Sequence, residues 1–165
     1  MLYLLDANVL IDANRDYYPV ERIPEFWDWL EYQGGQDKVK VPVEIYHELK
    51  EGTDDLAVWI KQSTIKQVLL YSAEPETRWV SYAVANGYAS DLTDVEIEKL
   101  GRDPFLLGYA LADPMAHCIV TTEGSRPTRE RANRHLPDAA KRLGIETCNT
   151  FELTRRLDFR TSWRQ

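Results

Sequence analysis

Apolar and polar positions fall along the chain in blocks that read alternately as strand and helix. Leu2 to Leu5 is a short, wholly apolar run, the pattern of a strand buried on both faces of a parallel sheet. Asp6 falls at its C-terminal end, Asn8 follows two residues later, and Val9, Leu10 and Ile11 begin a new apolar element. Asp12 to Arg22 reads as the end of a short helix and a loop. Pro24 opens a helix at its first position and Gly34-Gly35 close it, with Ile23, Phe26, Trp27 and Leu30 on the apolar face. Val39 to Val41 predicts a very short strand. Pro42 then starts a helix that runs through Glu44, Tyr46, His47, Glu48 and Leu49 to Gly52, and Thr53 is placed to cap another that turns Leu56, Trp59 and Ile60 inward.

Ile65 to Tyr71 fits strand and helix equally. Pro75 to Asn86 predicts a helix with Trp79, Tyr82 and Ala83 inward and Gly87 as its stop. Thr93-Asp-Val-Glu96 is a capping box for a short helix ending at Gly101. Asp103-Pro104 starts another helix, with Asp103 at the cap and nearly every residue from Phe105 to Leu111 apolar. Ala116 to Thr121 is an apolar strand leading into Thr122-Glu123 and a loop with Arg126, Arg129, Arg131 and Arg134. Pro137 to Leu143 is a helix stopped by Gly144, Ile145 to Cys148 a last strand, and Phe151 to Leu157 a last helix. Strands alternating with helices predict an α/β fold: a parallel sheet covered on both faces, with right-handed connections. No repeat or linker interrupts the pattern, so a single domain over residues 1–165 is expected.

Composition adds bounds rather than chemistry. At 44% hydrophobic and 28% charged over 165 residues, the chain is globular and long enough to bury a core. No stretch approaches the ~20 apolar residues of a membrane span, and the start lacks the basic region of a signal peptide. Cys118 and Cys148 lie in apolar runs, which suits reduced thiols and a cytoplasmic location. No Cys/His spacing resembles a zinc site. The net charge of −7 argues against indiscriminate nucleic-acid binding, but it is unevenly spread. Residues 1–123 carry 10 basic and 22 acidic side chains, residues 124–165 carry 10 basic and 5 acidic. That asymmetry fits either a basic patch beside an acidic site or a solvated basic tail.

Four acids stand in places that a purely structural chain does not require. Asp6 ends the first strand, Glu123 follows the strand Ala116–Thr121, Asp103 opens the helix leading into that strand, and Glu48 sits four residues after Glu44. Like charges at that helical spacing cost roughly 0.2–0.5 kcal/mol, a sign that a bound cation would reverse. If the two acid-bearing strands are neighbours, Asp6, Asp103 and Glu123 converge at the carboxyl edge of the sheet, where α/β folds bind ligands. Oxygen-only donors suit Mg2+ or Mn2+. Each acid also has a structural reading: helix caps for Asp6 and Asp103, a solvated helix position for Glu48, a turn before Gly124 for Glu123. Glu44 is a further ligand or a surface acid, Asp113 a turn residue, His47 a satisfied helix histidine and His117 a strand histidine.

In order and spacing this set resembles the PIN-domain family. Leu-Leu-Asp6-Ala-Asn8-Val-Leu-Ile11 is similar to its first motif and Glu48-Leu49 to its second. Asp103-Pro-Phe-Leu-Leu-Gly-Tyr-Ala-Leu-Ala112 is similar to its third, and Val120-Thr121-Thr122-Glu123 to its fourth. The resemblance covers nearly the whole chain. It implies a PIN-like three-layer α/β/α fold with a central parallel sheet of four to five strands, and Mg2+- or Mn2+-dependent cleavage of RNA. Asp6, Glu48, Asp103 and Glu123 would be the catalytic and metal-holding acids, while Asn8 and Thr121, with Glu44 alongside, orient ligands or the attacking water. Many small members are VapC-type toxins held by a cognate antitoxin, so an antitoxin partner is implied. Two features depart from the compact toxins: the fourth acid is glutamate, and the stretch Ile65–Gly101 is longer, as in a less-characterised subgroup.

From charge alone, Arg126, Arg129 and Arg131 are expected to hold the RNA backbone. Trp27 and Trp29, read as exposed aromatics, suggest a homodimer. The leading expectation is therefore an endoribonuclease acting as the toxin of a toxin–antitoxin pair. The alternative is a non-catalytic PIN-like binding module regulated by a protein partner. A haloacid-dehalogenase-like phosphatase would carry a second aspartate where this chain has Asn8, which counts against that third reading.

Overall fold

The computed structural model describes residues 1–164. Five strands form one all-parallel sheet: β1 (Leu2–Leu5), β2 (Val39–Pro42), β3 (Leu70–Tyr71), β4 (His117–Val120) and β5 (Glu146–Cys148). Their spatial order is β3-β2-β1-β4-β5. The apolar β1 is central for a simple reason: its residues feed cores on both faces. Tyr3 and Leu5 pack into one cluster, Leu4 into the other. The first face is covered by α1 (Ala7–Asp12), α2 (Pro24–Gly35), α3 (Val43–Lys50), α4 (Asp55–Ile60), α5 (Ser63–Leu69) and α10 (Thr150–Arg156). The second is covered by α6 (Thr77–Tyr82), α8 (Asp103–Leu111) and α9 (Leu136–Arg142), with α7 (Asp94–Lys99) leading into α8. This is a three-layer α/β/α fold, consistent with a PIN-like one.

The chain leaves β1 towards β2 and β3, then returns to place β4 on the other side of β1. The crevice at the carboxyl ends of β1 and β4 is therefore the topological switch point of the sheet, the place where such folds bind ligands. Register fixes what meets there. Leu5 pairs with Val120 and Val120 with Cys148. Past the last pairs, the Asp6 N–H donates to the Val120 carbonyl at 2.9 Å and the Thr121 N–H to the Cys148 carbonyl at 3.0 Å.

Several elements differ from the sequence-based expectation. Ile65–Tyr71 is both things in turn, the end of α5 and then the two-residue edge strand β3. Asp54, not Thr53, caps α4, its carboxylate accepting the Ala57 N–H at 3.0 Å. Tyr82 is exposed rather than inward. Gly87 does not stop α6: the helix continues through a π-helical turn, Ala83–Tyr88, with Gly87 buried inside it. A similar turn, Ala13–Tyr17, extends α1. Trp27 and Trp29 are each 1% exposed and pack against Phe26, with the Trp27 indole N–H donating to the Tyr18 carbonyl at 2.7 Å. Both tryptophans belong to the core, so the homodimer expectation loses its basis. Cys118 and Cys148 are buried free thiols, as expected, and Asp113 makes its turn by accepting the Ala116 N–H. Among the described residues no helix is long and apolar enough to cross a membrane.

Close packing of α8 against α6 sets where Asp103 arrives, and Gly108 makes it possible. A Cβ there would lie 2.9 Å from Val80 Cγ2 and 3.2 Å from the Val80 amide nitrogen. Gly108→Val forces the helices apart, and overpacking of this kind costs about 1–3 kcal/mol. Chemical denaturation of wild type and variant should show an unfolding free energy lowered by that amount and a correspondingly lower midpoint; an unchanged midpoint would show that the α6–α8 contact is loose.

Candidate functional site

Asp6 occupies the N-cap position of α1 in an extended conformation, yet its side chain makes no cap hydrogen bond. The carboxylate is buried, 7% exposed, and accepts the Thr121 hydroxyl at 2.9 Å. The Thr121 oxygen in turn accepts the Glu123 N–H at 3.1 Å. A relay of neutral donors thus runs from the end of β4 to the end of β1. Burial pushes the Asp6 carboxyl up to about 6; the Thr121 hydroxyl and the Ala7 N–H oppose the shift, and repulsion from Glu123 and Glu48 adds to it.

Asp103 is the first residue of α8 and follows Arg102, which holds the N-cap position. It makes no cap bond; its carboxylate accepts the Tyr88 hydroxyl at 3.1 Å. Its pKa is pushed up to about 7, first by burial, then by the charges of Asp6 and Glu123, with Tyr88 opposing and Glu48 adding a smaller push. Burial and the neighbouring Asp103 carboxylate raise the Tyr88 hydroxyl above its ordinary value, so it remains a donor. Arg134 fixes the Tyr88 segment by donating to the carbonyls of Gly87 and Tyr88, each at 2.8 Å.

Glu123 is divided between two roles. One carboxylate oxygen accepts the N–H of Leu136, the first residue of α9, at 2.6 Å. The other lies 3.6 Å from His135 Nδ1. That ring nitrogen is 2.7 Å from the Gly124 carbonyl, and because a carbonyl only accepts, Nδ1 carries the proton. Glu48 is exposed on α3 and acts on the others through charge. The structure therefore brings Asp6, Asp103 and Glu123 to one edge of the sheet, with Glu48 at its margin.

The supporting residues sort differently. Thr121, buried behind β4, holds Asp6. Asn8 is exposed in the first turn of α1. Glu44 is turned towards Tyr109, whose hydroxyl donates to it at 3.4 Å, while its other oxygen is buried without a partner. Arg131 is not a free cation: it pairs with Glu96 and Asp91, both at 2.8 Å, and so clamps its loop to the start of α7. Its expected role on RNA is corrected accordingly. Arg126 is exposed, and its backbone N–H donates to Asp138. Arg129 does face the acids, in a pocket of about 300 Å3 that also includes Lys99, Asp103, Glu123, Asn133 and His135. Lys99 donates to Asn133 across that pocket. Sequence reasoning missed Tyr88, Lys99, Asn133 and His135. No motif marks them, and only the His135-Leu136-Pro137 helix start hinted that something caps α9. A larger cavity of about 750 Å3, between α2 and Trp163-Arg164, contains none of these groups.

The donor chemistry fits a hard divalent cation: oxygens only, with the Asp6 and Asp103 pKa values raised by burial and by neighbouring carboxylates, and no cation paired to Asp6 or Asp103 among the described residues. The geometry is less complete. Among the described residues no three His, Cys, Asp or Glu side chains stand in an assembled ligand set.

The raised pKa values have a definite consequence for stability. Both carboxyls bind protons more tightly folded than unfolded, so the stability they contribute is present at low pH and lost as pH rises from about 4 through about 6 and 7. In metal-free buffer the thermal midpoint should fall between pH 5 and pH 8. Asp103→Asn should flatten that fall and raise the midpoint at pH 8 by a few degrees. A variant that keeps the wild-type slope would show that Asp103 does not carry it.

Comparison with curated proteins and with solved structures gave no match. A family model does match, over residues 3–161, so that it takes in Asp6, Glu48, Asp103 and Glu123 together. The chain belongs to the family described as a domain of unknown function, DUF4411.

Proposed function

We propose that the protein is a Mg2+- or Mn2+-dependent endoribonuclease of PIN-like type, hydrolysing RNA phosphodiester bonds. One observation carries the reading: Asp6 and Asp103, from different elements, meet at the switch point of a parallel sheet with Glu123 beside them and no paired cation among the described residues. The order of acid motifs along the chain supports it independently.

Asp6, Asp103 and Glu123 would hold the cation, with Glu48 completing the negative field. When bound, it supplies Lewis acidity towards water and towards the scissile phosphodiester. The chain's own residues do the positioning. Thr121 fixes one oxygen of the Asp6 carboxylate by donating its hydroxyl to it. Tyr88, a donor throughout, fixes one oxygen of Asp103 and leaves the other. Arg129 and Lys99 line the pocket beside Asp103 and Glu123, where they would take the phosphate oxygens of the strand. A role as the toxin of a toxin–antitoxin pair, with an antitoxin as protein partner, rests on the likeness to small VapC-type members.

Purified protein incubated with a panel of RNAs should cleave in Mg2+ or Mn2+ and stop in excess chelator. Asp6→Asn and Asp103→Asn should each lower the rate by roughly a hundredfold or more. Cleavage that survives the chelator sinks the reading, and metal binding without any cleavage favours a non-catalytic binding module. Expression in a host tests the toxin role: growth arrest by wild type but not by Asp6→Asn is expected.

A further inference from the structure

Thr121 faces Asp6 and Glu123 faces the arginine-lined pocket, but Thr122 between them lines a different pocket, of about 330 Å3. Its walls come from the π-helical turn after α1 and from the start of α10: Asp12, Arg15 and Tyr17 on one side, Thr150 and Phe151 on the other. We propose that this pocket is a stacking subsite for one base of single-stranded RNA, next to the point of cleavage. The inference rests on the nuclease reading for its ligand class and extends it to a substrate form.

Two features of the pocket's aromatic rings point to a base. Tyr17 and Phe151 are 47% and 42% exposed, though aromatic rings this large are usually buried. They meet edge to face, centroids 5.0 Å apart and planes at 79°, so the face of one ring is not covered by the other. Base–aromatic stacking needs such an open face and tolerates any sequence. Thr150, only 3% exposed, lines the same pocket with its hydroxyl buried and without a partner. Shielded from water, that hydroxyl is equally shielded from a ligand, so the aromatic rings carry the recognition.

The charges argue for a base rather than a phosphate. Arg15 is neutralised by Asp12 at 2.8 Å and Asp16 at 2.7 Å. Asp12 is held in turn by the Thr122 hydroxyl at 2.6 Å. With two carboxylates, Asp12 and Asp16, against one guanidinium, the pocket carries a negative balance that disfavours phosphate. Arg129, in no ion pair among the described residues, lines the neighbouring pocket. The two pockets, one lined by Thr122 and the other by its neighbour Glu123, divide a nucleotide's chemistry between them. A base already paired in a duplex cannot enter such a pocket, so the subsite selects single strands.

The test is fluorescence anisotropy with a short dye-labelled single-stranded RNA of mixed sequence and with the same strand in a duplex. Both are measured in chelator on wild type, Tyr17→Leu, Phe151→Leu and Tyr32→Leu. Tyr32 is exposed to the same degree but lies outside the pocket. Wild type should bind the single strand more tightly than the duplex. Each pocket variant should weaken single-strand binding by about tenfold or more, Tyr32→Leu should not, and all melting points should agree. Pocket variants that bind like wild type, or a wild type that does not prefer the single strand, overturn the subsite. Cleavage by wild type with binding unchanged in the variants removes the subsite and leaves the nuclease. Lost binding in the variants without cleavage by wild type does the reverse.

Discussion

Parallel pairing of β1 with β4 puts Asp6 and Thr121 side by side, and most of what is distinctive here follows from that contact. Thr121 is the first residue past β4 and Asp6 the first past β1. With Leu5 opposite Val120, the threonine hydroxyl reaches the carboxylate and nothing else needs to. The strand pair also fixes the place towards which α8 must deliver Asp103, because α8 runs directly into β4. Two carboxylates then share a region partly withdrawn from water; burial raises both pKa values, and the charge of Asp6 adds to the rise at Asp103.

What holds these acids is as informative as their position. The donors are a threonine hydroxyl, a tyrosine hydroxyl and a backbone amide, all of them neutral. Several cations are committed elsewhere (Arg131 to Asp91 and Glu96, Arg156 to Glu146 and Glu152, Arg134 to backbone carbonyls), and Arg129 and Lys99, which line the pocket, pair with none of these acids among the described residues. Neutral donors orient a carboxylate without cancelling its charge. The cluster therefore keeps a negative field at a cost in stability, as expected of a site awaiting a positively charged ligand. A scaffold with no such ligand would gain by pairing one of its arginines with Asp6 or Asp103.

Much of this frame was legible in the sequence because it rests on local pattern. The apolar run Leu2–Leu5, the capping box at Thr93–Glu96, Pro24 and the Gly34-Gly35 stop each announce an element through chemistry contained within a few residues. The acids were legible because they interrupt apolar runs at strand and helix ends. Tyr88 was not: its hydroxyl meets Asp103 only because a π-helical turn carries it past Gly87, and no spacing rule marks such a turn. Arg131 and Trp27 failed for the opposite reason. Each has an obvious surface use by type, and tertiary partners (Glu96 and Asp91 for one, Phe26 and the Tyr18 carbonyl for the other) claimed it instead. Glu44 and Glu48 share a helix face on paper, but the Tyr109 hydroxyl draws Glu44 away.

On this reading Asp6 and Asp103 form one cation-binding unit whose protons a bound cation displaces. Calorimetric titration with Mn2+ near pH 6.5, repeated in buffers of different ionisation enthalpy, measures both events. Saturable binding is expected with release of on the order of one proton per site, and Asp103→Asn should abolish both the binding and the release. Binding without proton release, or binding undiminished in Asp103→Asn, would show that the two carboxylates are not one unit.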